Sequence, residues 1–183
     1  MKIIKLNKNS NYEEYLSVAT LHKNTLKKTL ASTLTNKNLA NMYIYLVQQN
    51  FFEVHAIKEE NKLVGAISIR FKDKKFNTKN ILNMIKLSYF GILSHPLIWI
   101  VEIYYKIGLY RNISSRVNIV TLFVLDEYRS KNYGSLLLKN IINEYKQGIS
   151  VDTRTASQSA INFYKKNNFK LINQNSKNTV LIY

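Results

Sequence analysis

Residues Val117 to Leu125 (VNIVTLFVL) are apolar almost without interruption. A half-buried strand alternates apolar and polar residues, whereas a run that is apolar on both parities suits a strand covered on both faces. Such a strand requires layers above and below it, so the chain is expected to be α/β. A polar turn, Asp126 to Asn132, follows directly. Ser135–Tyr145 then has helical spacing, with Leu136, Leu137, Ile141 and Ile142 predicted inward.

The flanking segments fit the same layered plan. Ile3–Leu6 reads as a first strand. Tyr12, Tyr15, Leu16, Ala19, Leu26 and Leu30 recur at helical spacing, with Glu13 and Glu14 in the first turn, where the helix dipole favours acids. Thr35 is a predicted cap for a helix carrying Leu39, Met42, Tyr43 and Leu46. Phe51–Lys58 and Leu63–Phe71 read as a hairpin around Glu60–Lys62, and Lys72–Asn80 as a Lys-rich loop. Asn83–Tyr110 is an apolar helical segment. Ile149–Thr153 is a short strand, Ser157–Lys166 a short helix, and Phe169–Asn173 with Thr179–Tyr183 a closing hairpin. No repeat or linker-like break divides residues 1–183, so one domain is expected.

Composition removes several functions. With no cysteine, a disulfide scaffold, a thiolate zinc site and a cysteine nucleophile are excluded. No metal site is expected. The net charge of +16 suits an anionic partner, but 22 of the 27 basic residues are Lys and 23 residues are Asn. Planar phosphate and base recognition favours Arg, and a chain rich in Lys, Asn and Ile also reflects AT-rich coding. Nucleic acid is disfavoured as a partner, because the aromatic residues cluster in apolar runs and do not interleave with Lys. MKIIKL at the start is too short and too charged for a secretory signal. Leu87–Val101 has no formal charge but is short for a membrane span and carries Pro96. The expected location is the cytoplasm, with segment 87–105 as a candidate for peripheral membrane contact.

The turn after the central strand carries the chemistry. A helix start offers unpaired N–H groups and the positive end of the dipole, which together suit phosphate. Arg129 and Lys131 add charge, and Asn132 and Gly134 are residue types that accept positive φ. A second stretch, Thr153–Phe169 (TRTASQSAINFYKKNNF), lies a short distance downstream. Together these segments resemble the acetyl-CoA signature of the GNAT superfamily of N-acyltransferases. The family's Arg/Gln-x-x-Gly-x-Gly/Ala corresponds to Arg129-Ser130-Lys131-Asn132-Tyr133-Gly134, with Asn132 in place of the first glycine. Its Asn-x-x-Ala-x-x-Phe-Tyr corresponds to Ser157–Tyr164, with Ser157 for Asn and Asn168-Phe169 for the later Gly-Phe. Asp126 stands where the family often has Pro.

The resemblance implies a mixed, mostly antiparallel central sheet flanked by helices, with a helical insertion at about 77–116 before the central strand. It implies acetyl-CoA, or another acyl-CoA, as co-substrate. Phe123 and Val124 backbone groups would hold the pantetheine arm, and the amides of Arg129, Ser130, Lys131, Asn132, Tyr133, Gly134 and Ser135 the pyrophosphate. Ser157 is a further cofactor contact, and Tyr164 the acid that protonates the departing thiolate. Tyr164 also reads as an ordinary core aromatic. For a general base the candidates are Glu53, His55, Glu102 and His95, with a water chain as the alternative.

The insertion resembles the helical insertion, with a central Pro, of family members that acylate amino sugars in surface-polysaccharide pathways. It reads equally as an added helical layer or a homodimer contact. Eleven acids against 27 bases disfavour a polyamine acceptor and favour an anionic one, such as a nucleotide- or lipid-linked amino sugar. A protein N-terminus or lysine, a non-catalytic acyl-CoA sensor and a nucleic-acid binder are the alternatives.

Overall fold

The computed structural model describes residues 1–27, 29–97, 99–100 and 115–183. Among these residues the α-helices are α1 (Tyr12–Thr25), α2 (Asn36–Gln48), α3 (Thr78–Ser94), α4 (Tyr133–Tyr145) and α5 (Gln158–Lys166). The strands are β1 (Lys2–Leu6), β2 (Phe52–Glu59), β3 (Lys62–Phe71), β4 (Val117–Val124), β5 (Ile149–Arg154), β6 (Lys170–Gln174) and β7 (Asn178–Ile182). They form one sheet in the order β1-β2-β3-β4-β5-β7-β6. Among the described residues only β4 and β5 run parallel, and the other pairs are antiparallel. This is the mixed, mostly antiparallel sheet expected.

The β2–β3 hairpin turns on Glu60 and Asn61, at φ 48° and 66°. Two consecutive left-handed residues are what a two-residue hairpin needs to match strand twist, and Asn adopts that conformation readily. Alternation along β3 then sorts side chains onto two cores. Ile67 and Ile69 join Val117, Ile119, Leu137, Leu138 and Ile141 beneath α4. Ala66 joins Val54, Ala56, Tyr15, Val18 and Tyr43 beneath α1 and α2. Each fully buried aliphatic side chain contributes roughly 1.5–3 kcal/mol through apolar area removed from water.

Several local expectations shift. The buried stripe of α1 is Tyr15, Val18, Ala19 and His22, and the helix ends at Thr25, so Leu26 and Leu30 lie beyond it. Along α4 the stripe is Tyr133, Leu137, Leu138 and Ile141, while Leu136 and Ile142 are only half-buried. The Lys-rich loop is shorter than predicted, because Asn77 and Asn80 form a reciprocal capping box that starts α3 at Thr78. Finally, β4 is not covered throughout: Val120 is 39% exposed, for a reason that lies in the sheet itself.

Candidate functional site

β4 and β5 pair only from Val117↔Ile149 to Ile119↔Val151. Beyond that point β4 runs five more residues without a partner on that side, and the two parallel strands splay apart. On its other side β4 stays bonded to β3 through to Gly65↔Val124, but the register shifts between Ser68 and Ile69. Thr121 faces Ser68 and Ile119 faces Ile69, so Val120 is an extra residue, a β-bulge. The bulge and the splay together leave a free backbone edge on β4 on which Val124 presents its N–H and carbonyl, whereas those of Phe123, expected to hold pantetheine as well, face β3 opposite Ala66. The shift has no counterpart in the hydropathy pattern, which is why the run read as uniformly covered.

The β4 end is held close to β3 by Gly65. A Cβ there would lie 2.9 Å from the Phe123 carbonyl oxygen and 3.0 Å from Val124 Cγ2. After Leu125 the chain makes a six-residue 3-10 turn, Asp126–Lys131, and enters α4 through Asn132 in the left-handed region at φ 64°. Asn168, before Phe169, is also left-handed at φ 67°. Both asparagines thus adopt the conformation for which the resembling motifs use glycine. Gly134, by contrast, is helical; its lack of a side chain only keeps the surface open. A Cβ on it would lie 3.7 Å from Phe163 and 3.9 Å from Val124 Cγ2. The end of β4, the start of α4 and α5 therefore meet at one place.

At that place the first amides of α4 have no carbonyl one turn back. The first backbone bond runs from the Leu136 N–H to the Asn132 oxygen, 3.1 Å. The N–H groups of Tyr133, Gly134 and Ser135 are left to meet an anion at the positive end of the dipole. The cations around the turn contribute less than expected. Arg129 is paired with Asp126 at 2.8 Å, Lys131 with Glu59 at 2.9 Å and Lys62 with Glu127 at 3.1 Å. The turn's side-chain charges balance locally, so anion attraction rests on backbone groups. Ser157 precedes α5 without capping it by its side chain.

Tyr164 faces inward from α5, 6% exposed, with ring contacts to Phe163 and Phe169 at 5.2 and 5.4 Å. It shares one apolar cluster with Val124 and Tyr133. Burial pushes its phenol well above the ordinary value, so it stays protonated at neutral pH.

The base candidates lie elsewhere. Glu53 and His55 are on β2, two strands from β4, under the C-terminal half of α4. Glu53 Oε2 accepts from Tyr145 Oη at 2.7 Å and from His55 Nε2 at 3.4 Å, and pairs with Lys5 Nζ at 2.8 Å. His55 Nδ1 lies 3.0 Å from Asn140 Nδ2. Burial pushes the Glu53 carboxyl up, but the hydrogen bonds from His55, Lys5 and Tyr145 outweigh it and hold it down at about 2. Glu144 completes a trio with ligand spacing, yet Lys5 also reaches Glu144 at 3.0 Å and supplies the positive charge itself. His95 caps the end of α3, beside Ser94 Oγ at 2.9 Å. Glu102 lies outside the described residues.

Sequence reasoning passed over a polar network on the other face of β4. His22 is 3% exposed, stacked on Phe123 with ring centroids 5.4 Å apart. Its Nδ1 is 2.7 Å from the Tyr43 hydroxyl, and Ser68 Oγ is 2.7 Å from Thr121 Oγ1. Burial pushes the Tyr43 phenol up to about 12, with Thr121 and Ser68 bonds opposing the shift. Nε2 of His22 has no partner among the described residues. An open cleft of about 420 Å³ lies alongside, lined by Leu21, Asn24, Thr25, Lys62, Leu125 and Asp126, among others. The available signal was His22 continuing the Tyr15, Val18, Ala19 stripe at helical spacing.

Burial lowers the His22 pKa from 6.5 to about 4. The unfolded chain therefore takes up this proton first, and the stability it represents is present above pH 6.5 and lost as pH falls towards 4. The full loss is about 3 kcal/mol at about 1.4 kcal/mol per unit, of which about two thirds falls between pH 7 and pH 4.5. Urea unfolding at pH 7 and pH 4.5 measures it: most of the fall should vanish in His22→Leu, and an equal fall in that variant would refute the assignment.

The acetyltransferase (GNAT) domain family matches residues 94–171. No curated protein matches the chain. Among solved structures, smu.2055 from Streptococcus mutans UA159 is similar over 100% of this chain and 98% of its own, at 16% identity and a TM-score of 0.65. Naa50 from Arabidopsis thaliana, in complex with the bisubstrate analogue CoA-Ac-MVNAL, aligns over 100% and 99% at 18% identity and a TM-score of 0.58. The PaiA N-acetyltransferase from Thermoplasma acidophilum, in complex with coenzyme A, aligns over 100% and 98% at 12% identity and a TM-score of 0.61. The fold is therefore that of the GNAT acetyltransferases.

Proposed function

We propose that this protein is an acyl-CoA-dependent N-acyltransferase that moves an acetyl group from acetyl-CoA to a primary amine. The observation that carries the proposal is the meeting of the free β4 edge, the left-handed start of α4 and Tyr164 in one place. On this reading, Val124 extends β-type hydrogen bonds to the pantetheine arm from the free edge and polarises the thioester carbonyl, while Phe123, its backbone paired to β3, holds that edge in place. The amides from Arg129 to Ser135 cradle the pyrophosphate, and Ser157, not engaged in capping, adds a side-chain contact. The neutral amine attacks the thioester carbon and the C–S bond breaks. Tyr164 gives its proton to the leaving thiolate, and the amine's proton passes to water. Glu53 and His55 are engaged in their own cluster, so the scheme needs no dedicated base. The GNAT fold and the domain match at 94–171 support the donor, as does the coenzyme A in the PaiA complex.

For the acceptor we favour an anionic amine, a nucleotide- or lipid-linked amino sugar. The support is the charge of +16, which attracts phosphorylated acceptors and repels polyamines. A protein N-terminus is the second reading, favoured by the likeness to Naa50 with its CoA-acetyl-peptide analogue.

A thiol-release assay with acetyl-CoA decides among these. Nucleotide amino sugars, N-terminal peptides and polyamines serve as the acceptors. Release is expected with the first, and release confined to peptides would select the second reading. Calorimetric binding of CoA without release from any amine would make the protein a sensor. Absence of CoA binding would end the proposal.

A further inference from the structure

The amphipathic pattern of α3 is turned outward. Its buried positions are Asn80, Ser88 and Gly91. Its exposed positions are Ile81, Leu82, Ile85, Tyr89, Phe90 and Leu93, with Phe90 at 70% and Leu93 at 61% exposure. At 100° per residue these six fall within about 180° of arc, opposite the small and polar side. An ordinary surface helix is the reverse.

Specific contacts at both ends fix this orientation. Asn80 Nδ2 donates to the Tyr45 hydroxyl at 2.8 Å, and Asn80 is also half of the capping box. At the other end Gly91 sits against the 3-10 segment Ala31–Thr33 and Leu34. A Cβ there would lie 2.8 Å from both Leu34 Cδ2 and Thr33 Oγ1. Turning the apolar side inward would break the first contact and drive large side chains into the second.

Charge identifies what the apolar face meets. Lys79 and Lys86 lie on the same side of α3, between Leu93 and Phe90 near one edge of the apolar arc, and Lys75 precedes them; all three are exposed. From Lys74 to Ile100 the sequence has no Asp or Glu. Apolar and aromatic residues bordered by Lys make up the pattern of a helix lying in the interface of an anionic bilayer. A second copy fits worse, since a two-fold contact through this face would bring the same lysines together. No helix among the described residues is long and apolar enough to cross a membrane, so the contact is peripheral.

We propose that α3 docks the protein on the surface of an anionic membrane, with Leu82, Ile85, Tyr89, Phe90 and Leu93 in the interface and Lys79 and Lys86 at the headgroups. This docking is independent of the acyl transfer proposed above.

Co-sedimentation of the full chain with vesicles tests it, using equal parts phosphatidylglycerol and phosphatidylcholine against phosphatidylcholine alone. Binding should be at least tenfold stronger to the anionic vesicles. It should fall at least tenfold in Leu82→Glu/Phe90→Glu and stay unchanged in Ile172→Glu, an equally exposed apolar residue on β6. Thermal unfolding and sedimentation velocity of the same proteins complete the experiment, with unaltered melting and a monomer throughout as the supporting result. No binding to anionic vesicles overturns the proposal. So does a dimer abolished by the double substitution, which makes the face a self-interface. A marked drop in melting temperature for the double variant also overturns it, because the face would then be covered by the chain's own residues.

Discussion

Replacing Tyr164 by phenylalanine should lower kcat for acetyl transfer about a hundredfold and leave the affinity for CoA within about twofold, the lower end of what a positioned general acid supplies. The phenol is buried between Phe163 and Phe169, and burial raises its pKa above the ordinary value. It therefore holds its proton at neutral pH and can give it to a thiolate formed beside it. The same environment keeps the rate from falling on the alkaline side through the ordinary tyrosine range. Stability separates this role from a packing role. Phenylalanine keeps the ring and its contacts with Phe163 and Phe169, so the substitution should change unfolding by no more than about 1 kcal/mol. Steady-state kinetics with a saturating amine and a urea titration of the same variant supply both readings. An unchanged kcat would make Tyr164 a core aromatic and leave thiolate protonation to water.

Residues that carry a local conformational rule were legible from the sequence, and those fixed by tertiary contact were not. Asn132 and Asn168 are residue types suited to the left-handed region, and both adopt it. Thr35 caps α2, and the hairpin turns where predicted, because caps and turns depend on side chains near in sequence. The bulge at Val120 depends on the register of two strands far apart in the chain, which hydropathy does not encode. The burial of His22 depends on α1 lying against Phe123, and a lone histidine in an apolar stripe does not announce its neighbour. Glu53 and His55 looked like base candidates by residue type. Lys5, Asn140 and Tyr145, brought in from β1 and α4, turn them into a saturated cluster. The hydropathy of α3 was visible, but its orientation follows from Gly91 and Asn80 meeting Thr33 and Tyr45.

The charge of the chain shows the same division. Arg129 and Lys131 stand in the motif where cations would attract a pyrophosphate, and the sequence alone assigned them that role. Their partners Asp126 and Glu59 take up those charges, and Glu59 comes from the end of β2. All these side chains are largely or partly exposed, so solvent screens the pairs and they add little stability. Their effect is to leave the helix start, with its unpaired amides, as the main electrostatic feature of the turn.

Substituting Gly65 tests whether the β4 end is the cofactor-binding edge. The position does not need glycine for its backbone conformation; it needs it for space. The nearest atoms to an added Cβ are the Phe123 carbonyl oxygen at 2.9 Å and Val124 Cγ2 at 3.0 Å. The first is backbone and cannot swing aside, so β3 and β4 must move apart where Gly65 pairs with Val124. Overpacking of this kind costs roughly 1–3 kcal/mol. Gly65→Ala should lie near the lower bound, and Gly65→Val, with two more carbons, at about 3 kcal/mol or above. The displaced carbonyl belongs to Phe123 and faces β3, but the same movement shifts Val124, whose N–H and carbonyl face the free edge assigned to pantetheine. Gly65→Ala should therefore stay folded and bind CoA at least tenfold more weakly by calorimetry. Gly134→Ala is the control for stability: its Cβ meets only ordinary contacts, 3.7 Å at the nearest, and a helical alanine should stabilise by about 0.5–1 kcal/mol. A folded Gly65→Ala protein with undiminished CoA affinity would remove Phe123 and Val124 from the proposed site, whatever the fate of Tyr164.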